Sequence, residues 1–396
     1  MSRAYCGAVR SSTTVGLVLT LVSGVSAAGH AQDVMSALPT HVIAPADNPT
    51  TPEKIALGRL LFWDPILSGH RDVACATCHH PDFGYAENLD VSIGVNGTGL
   101  GATRRFAAGT AAHFVKRNSQ TVLNTAFNGI GAGGHYTPSA APMFWDTRVR
   151  SLEAQALEPI KALEEMRGTA FTEGRALATV VARLAAIPEY LAQFARAFGS
   201  SDAVTEVNLG RALAAFERSL VANNAPFDRY MPGDTTAMTA EQIRGMNRFR
   251  AAGCANCHSG PMFSDYESHV LGVPENGKLP SPDVGVGGSY AFRTASLRNL
   301  ASTAPYMQNG TLAKLHRAGR GGRGGGRGGS GGGGGRTQNP NVTREQLDPL
   351  LLQLNLRGGR QNELIAFLHA LDDQGFDRIV PQRVPSGLNV GGRTGR

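Results

Sequence analysis

Residues Cys75-Ala76-Thr77-Cys78-His79 and Cys254-Ala255-Asn256-Cys257-His258 carry one pattern, C-x-x-C-H, twice in the same chain. The 396-residue sequence has 5 cysteines, and the two copies use all of them except Cys6 near the N-terminus. Two thiols three positions apart on one helical turn can add to the two vinyl groups of one porphyrin, and the next residue places an imidazole under the iron. Two C-x-x-C pairs could also make one all-thiolate zinc site, two thioredoxin-like redox pairs or disulfides. None of these needs the histidine that follows both pairs. The pattern therefore points to two covalently bound haem c groups attached through Cys75, Cys78, Cys254 and Cys257.

The sequence before the first motif reads as an export signal. Residues 1–31 have Arg3 and Arg10 in front, an apolar run over 15–28, and Gly29-His30-Ala31 as a small-residue cleavage site. Cys6 lies inside this leader, away from the cleavage point, so it is not a lipid attachment site. The apolar run is short and rich in Gly and Ser, and no later segment approaches the roughly 20 apolar residues of a spanning helix. A periplasmic protein without a transmembrane segment after cleavage is expected.

Cleavage leaves about 365 residues, more than one hydrophobic core usually serves. The two motifs are far enough apart for each to have its own domain. The expected division is 32–225 for an N-terminal cytochrome c-like domain and 226–396 for a C-terminal one, with residues 223–239, rich in Asn, Pro and Gly, at the boundary. Helical periodicity appears over 51–62, 152–166, 176–198, 204–220, 239–252 and 361–371, while strand alternation is scarce. The predicted fold is all-α with long loops, and 50 Gly and 21 Pro suit loops that wrap a cofactor.

The formal charge of +7 is misleading about the folded body. Arg3 and Arg10 belong to the leader. Arg317, Arg320, Arg323, Arg327 and Arg336 belong to a Gly/Arg tract at 317–336, so the remainder is balanced. Such a tract cannot offset its ordering entropy by burial and reads as a disordered insertion, or as a basic tether for an acidic partner. No aromatic residue interrupts it to stack on bases, and nucleic acid is not an expected partner.

The residues between and around the motifs resemble the bacterial diheme cytochrome c peroxidases and their relatives, including the diheme enzyme that matures the tryptophan-derived cofactor of methylamine dehydrogenase. The resemblance spans about residues 51–373. It rests on the first haem motif, Arg117-Asn118, Phe144-Trp145-Asp146-Thr147-Arg148, Ser151-Leu152-Glu153-Ala154-Gln155, Pro159-Ile160, Glu165-Met166, the second motif, Leu297-Arg298-Asn299 and Thr303-Ala304-Pro305-Tyr306. It implies that His79 and His258 are the proximal iron ligands, that peroxide reacts at the first haem, and that the second haem passes electrons to it. Trp145 would stand between the two.

Splitting peroxide needs a proton taken from one oxygen and delivered to the other, so that water leaves instead of hydroxide. By resemblance Glu165 does both, Gln155 orients it or the peroxide, and Pro159 shapes the pocket. The resemblance also implies one calcium ion at the domain interface, held by Asn118 and by Thr303 and Pro305, a hard oxygen-donor set.

Two departures from the family pattern concern distal ligands. Relatives place Met or Tyr after the Pro-Tyr segment, where this chain enters its Gly/Arg tract. His316, then Met307, then an open or water-bound iron are the alternatives for the second haem. Gln308 stands where relatives usually carry His. At the first haem, His113 could be a displaceable distal ligand, whereas His80 is too near the attachment motif to reach the other face.

The expected activity is that of a cytochrome-c peroxidase: hydrogen peroxide to water, with electrons from a small donor protein such as a monohaem cytochrome c or a cupredoxin. A diheme electron-transfer protein without catalysis, and an enzyme oxidising a protein or organic substrate at the same first haem, are the alternatives. A homodimer is one expectation that the sequence leaves open.

Overall fold

The computed structural model describes Met1 and residues 35–315, 339–355 and 361–394. The expected leader beyond Met1, the Gly/Arg tract and His316 lie outside the described residues.

The first helix, α1 (Pro52–Trp63), starts where the sequence supplies a cap: the Thr51 side chain accepts from Lys54 N, and Pro52 opens the first turn. It ends at Asp64. That carboxylate accepts from Ile66 N, from the Tyr190 hydroxyl at 2.6 Å and from the Ser386 hydroxyl at 2.6 Å, fixing the chain direction. Then come α2 (Cys75–Cys78), α3 (Leu152–Gln155), α4 (Glu158–Lys161), α5 (Ala176–Ala185), α6 (Pro188–Phe198) and α7 (Glu206–Ser219). The second half holds α8 (Pro226–Tyr230), α9 (Ala240–Ala251), α10 (Pro349–Leu352) and α11 (Gln361–His369). Among the described residues strands are confined to three antiparallel pairs of two or three residues: Gly97–Thr98 with Arg105–Phe106, Pro142–Met143 with Val149–Arg150, and Ser268–Val270 with Ala291–Arg293. The fold is mostly helical, as the periodicity indicates.

Two of the expected helices are broken. Residues 152–166 divide into α3, α4 and a π-helical turn, Leu163–Arg167, because Pro159 opens a new first turn and Ala162 is extended. Residues 176–198 divide at Ile187, whose extended backbone before Pro188 follows from the steric demand of a proline on its predecessor.

One packing device appears twice. α1 crosses α7 at Gly58, where an added Cβ would lie 2.0 Å from the Ala212 carbonyl oxygen. α9 crosses α11 at Gly245, where an added Cβ would lie 1.9 Å from the Glu363 carbonyl oxygen. Each crossing organises a core. Phe62, Tyr85, Phe194 and Phe216 lie in the first, and Phe227, Phe249, Phe263 and Phe367 in the second, with ring centroids 5.1–6.2 Å apart among the latter four.

The chain ends exchange sides. Met35 packs in the second core and Leu38 N donates to the Asp228 carboxylate at 2.9 Å, whereas Phe376 and Val384 pack in the first. Farther on, the Gly391 carbonyl accepts from the Thr77 hydroxyl of α2 at 2.8 Å and Gly391 N donates to the Trp63 carbonyl at 2.8 Å. The C-terminal segment thus braces the first Cys-His turn. The stretch expected to be a boundary carries α8, and Asp228 within it pairs with Arg298 at 2.7 Å, both side chains almost wholly buried. Among the described residues no helix is long and apolar enough to cross a membrane.

Candidate active site

Both Cys-His sequences open into one cavity of about 820 Å³, and Cys75, Cys78, His79, Cys254, Cys257 and His258 are all in its wall. The first pair is held on the single turn of α2, the second on a tighter 3-10 turn, Cys254–Asn256. His79 Nδ1 lies 3.1 Å from the Tyr85 carbonyl and His258 Nδ1 lies 2.9 Å from the Phe263 carbonyl. A carbonyl can only accept, so Nδ1 carries the proton and Nε2 is left with its lone pair, the form that binds iron. Burial also lowers both imidazole pKa values, keeping the rings neutral. The thiols are shifted the other way: burial raises Cys75 and Cys78, and takes Cys254 up to about 11. Reactive redox pairs and zinc thiolates depend on lowered values, so the donor set suits thioether attachment of haem.

The carboxyl expected to move protons is in the same wall. Glu165 sits on the π-helical turn, and such turns concentrate at functional sites. Burial raises its pKa to about 7, opposed by Arg148 and reinforced by Glu164 and Glu158. A group at that value both takes and gives a proton near neutrality. Gln155 and Pro159 line the cavity with it.

Trp145 is bonded to both sides of the cavity. Its indole N–H donates to the Asn118 carbonyl at 3.0 Å, and its own carbonyl accepts from Arg293 N at 2.8 Å. Next to Asn118, the Ser119 hydroxyl donates to the Cys78 carbonyl at 2.9 Å and lies 3.3 Å from His79 Nδ1. The loop is held at φ 65° for Phe144 and 54° for Thr147, a region that side chains enter only when their surroundings demand it. The surroundings are plain: Arg293 Nε donates to the Phe144 carbonyl at 2.9 Å, and Arg117 pairs with Asp146 at 2.7 Å and with Asp283 at 2.6 Å.

The remaining expected residues divide. Asn118, Thr303, Pro305 and Met307 line the cavity. Asn118 Nδ2 donates to the Leu89 carbonyl at 2.8 Å and the Asp90 carbonyl at 3.3 Å, which leaves Oδ1 as the acceptor end of the side chain. Gln308 is buried, and its carbonyl accepts from Asn118 N at 2.8 Å. His113 is exposed and is not in the cavity wall. Glu217, Arg293 and Arg298 are in the wall and buried, although sequence reasoning gave them no role. Glu217 was signalled only as a charged residue inside the apolar periodicity of 204–220, and Arg298 only as part of the Leu297-Arg298-Asn299 motif. His269 is also there, held between Asp265 at 2.9 Å and Asp348 at 2.7 Å. Cys257, Asp265 and His269 have ligand atoms within 4.8 Å of one another, but Cys257 belongs to the haem motif and both ring nitrogens of His269 are engaged.

The family model of the di-haem cytochrome c peroxidases matches residues 52–236. The chain is 38% identical over 283 residues to the methylamine utilization protein MauG of Methylorubrum extorquens, covering 70% of each protein. It is 36% identical to the cytochrome-c peroxidase IdrP1 of Denitromonas iodatirespirans, covering 78% of this chain and 81% of that one. The chain belongs to the di-haem cytochrome c peroxidase family. The family's architecture extends through the present fold: a crystal structure of a MauG-like protein associated with microbial copper homeostasis is similar with a TM-score of 0.66 and 26% identity, over 85% of this chain and 95% of that one. A di-haem peroxidase of this family accounts for both Cys-His turns opening into one cavity.

Proposed function

We propose that this chain reduces hydrogen peroxide to water in the periplasm with electrons from a small redox protein, a monohaem cytochrome c or a cupredoxin. The observation that carries the reading is the single cavity walled by both Cys-His turns, with the Glu165 carboxyl in it and Trp145 bonded to both sides. In this reading residues 32–225 and 226–396 are two cytochrome c-like domains whose chain ends have crossed over, a division supported by the repeated glycine crossings at Gly58 and Gly245. Cys75, Cys78 and His79 hold one haem and Cys254, Cys257 and His258 the other. When bound, the first supplies the iron at which the O–O bond is broken and the second the electron carrier that feeds it.

The protein's own residues supply the proton chemistry and the positioning. Glu165 takes the proton from one peroxide oxygen and gives it to the other, and the first water leaves. Gln155 orients that carboxyl or the peroxide through its side-chain amide. Trp145 fills the gap between the two haem sites with an aromatic ring. His113 is exposed and away from the cavity, which supports a first site that does not use it; at the second site His316 would be the first candidate to help hold the iron and Met307, which lines the cavity, the next. One calcium ion on Asn118, Thr303 and Pro305 fits their shared place in the wall and the free acceptor end of Asn118.

The test is steady-state peroxide turnover by the mature holoprotein with a reduced monohaem cytochrome. Glu165→Gln should lower it by roughly 10²–10⁴-fold with both haems retained on a stained denaturing gel; unchanged turnover would remove Glu165 from the mechanism. Oxidation of a protein or organic substrate is the second reading, supported by the 38% identity to a methylamine utilization protein. It predicts peroxide consumption that stays slow with every reduced cytochrome offered.

A further inference from the structure

Glu217 is a further carboxyl in the cavity wall, beside the first Cys-His turn like Glu165, and nothing in the mechanism above uses it. It lies in the last turn of α7 with 5% of its surface exposed. Its Oε2 is buried without a hydrogen-bond partner. An unpaired buried polar atom is costly, because it has given up its hydrogen bonds to water for nothing, and each one in a folded protein calls for a reason.

Packing offers no reason. Phe216, one residue earlier, meets the Phe62 ring at 5.1 Å, and Arg218, one residue later, pairs with Glu153. These neighbours anchor α7 on α1 and α3, while Glu217 faces the cavity. It acts on the Cys75 thiol more strongly than any other charged group, with Glu165 acting on the same thiol more weakly. Glu165 and Glu217 therefore both border the first Cys-His turn.

The surroundings favour the protonated acid. Burial raises Glu217 to about 8, with Arg218 opposing and Glu153 adding to the rise. The negative end of the α7 dipole acts in the same direction. The cations of α1 and the remaining one of α7 are engaged elsewhere: Arg59 pairs with Asp377, Lys54 donates to Asn48 and to the Pro49 carbonyl, and Arg211 pairs with Asp47.

We propose that Glu217 is a proton store for the first haem site, holding inside the cavity one of the two protons that complete peroxide reduction. The proposal rests on the peroxidase reading. The balance is H₂O₂ + 2 e⁻ + 2 H⁺ → 2 H₂O. Glu165 redistributes the protons that peroxide brings, so the first water takes both. The second oxygen becomes water only after two electrons arrive from the donor protein and two further protons arrive, one from Glu217 and one from solvent, and Glu217 is reprotonated from solvent between turnovers.

The experiment combines infrared titration of the holoprotein with peroxide kinetics. The wild type should show a protonated-carboxyl component that titrates away near pH 8, lost in Glu217→Gln and kept in Glu165→Gln, which instead removes a separate component titrating near pH 7. Glu217→Gln should lower kcat for peroxide by about 10-fold, less than the 10²–10⁴ of a group in direct contact, with KM unchanged and the alkaline limb of the pH profile displaced. Glu217→Asp, which keeps an acid at the position, should restore both. A band unaffected by either substitution at 217, or a wild-type kcat profile in Glu217→Gln, overturns the proposal. Should Glu217→Gln fail to load haem, the wild-type band and Glu217→Asp decide. Absence of peroxide turnover in the wild type would instead overturn the peroxidase reading, and the band would still decide whether Glu217 holds a proton.

Discussion

The two sides of the cavity differ in the sign of what they bury. Beside Cys75 stand Glu165 and Glu217, whose pKa values burial raises to about 7 and about 8. In the half that carries Cys257 the wall holds Arg293 and Arg298, both buried, together with His269, which its bond to Asp265 pushes up to about 11. Among the described residues the first half also buries Lys54, Arg104 and Arg218, but none of the three is in the cavity wall: Arg104 donates to the carbonyls of Gly94 and Gly99, Arg218 pairs with Glu153, and Lys54 donates to Asn48. Guanidinium groups stay charged at any ordinary pH, so they lower the energy of an electron placed near them. Neutral carboxylic acids do little for an electron but hold protons. The asymmetry supports a division in which one side holds electrons and the other meets protons.

The largest effect should come from breaking the cationic side. Arg298 is paired with Asp228, and that carboxylate also accepts from Leu38 N and Ala225 N. Arg298→Met leaves a buried charge uncompensated and should destabilise the protein by about 3–5 kcal/mol in urea unfolding. A smaller loss would mean that Asp228 finds compensation through its backbone donors. Next come the two helix crossings. Gly58→Ala and Gly245→Ala each put a Cβ against a backbone carbonyl and should each cost about 1–3 kcal/mol. A clear inequality between them would show that the cores are not equivalent repeats.

The smallest effect should be in pH dependence, and its sign follows from the raised carboxyls. An acid with a folded-state pKa above its unfolded value stabilises the fold fully below the unfolded value and loses that contribution as pH rises through the folded one. For Glu217 the window runs from its ordinary 4.5 to about 8. Hydrogen exchange of first-core amides should therefore speed up across this range, with up to about 1.4 kcal/mol lost per pH unit from that group. Glu217→Gln should flatten the slope. An equal slope in the second core would break the comparison.

Much of the site was legible because covalent attachment is a local problem. C-x-x-C-H encodes it in five consecutive residues, and the caps at Thr51, Thr205 and Thr239 lie next to the helices they start. The broken helix at 152–166 was less legible. Its apolar spacing continues through Pro159, and only the π-helical turn brings Glu165 to the cavity. His113 shows the converse, a chemically competent ligand whose backbone leaves it exposed.

By itself, then, the sequence determined the covalent chemistry, the mostly helical class and the family, because each is written in short-range spacing. Only the tertiary structure decided which charges are buried, which carboxyls keep protons, and that Trp145 joins both sides. Those properties come from desolvation and from contacts between residues far apart in the chain. Glu217 has the same letter as any solvated helix glutamate; α1, α3 and the cavity wall make it an acid.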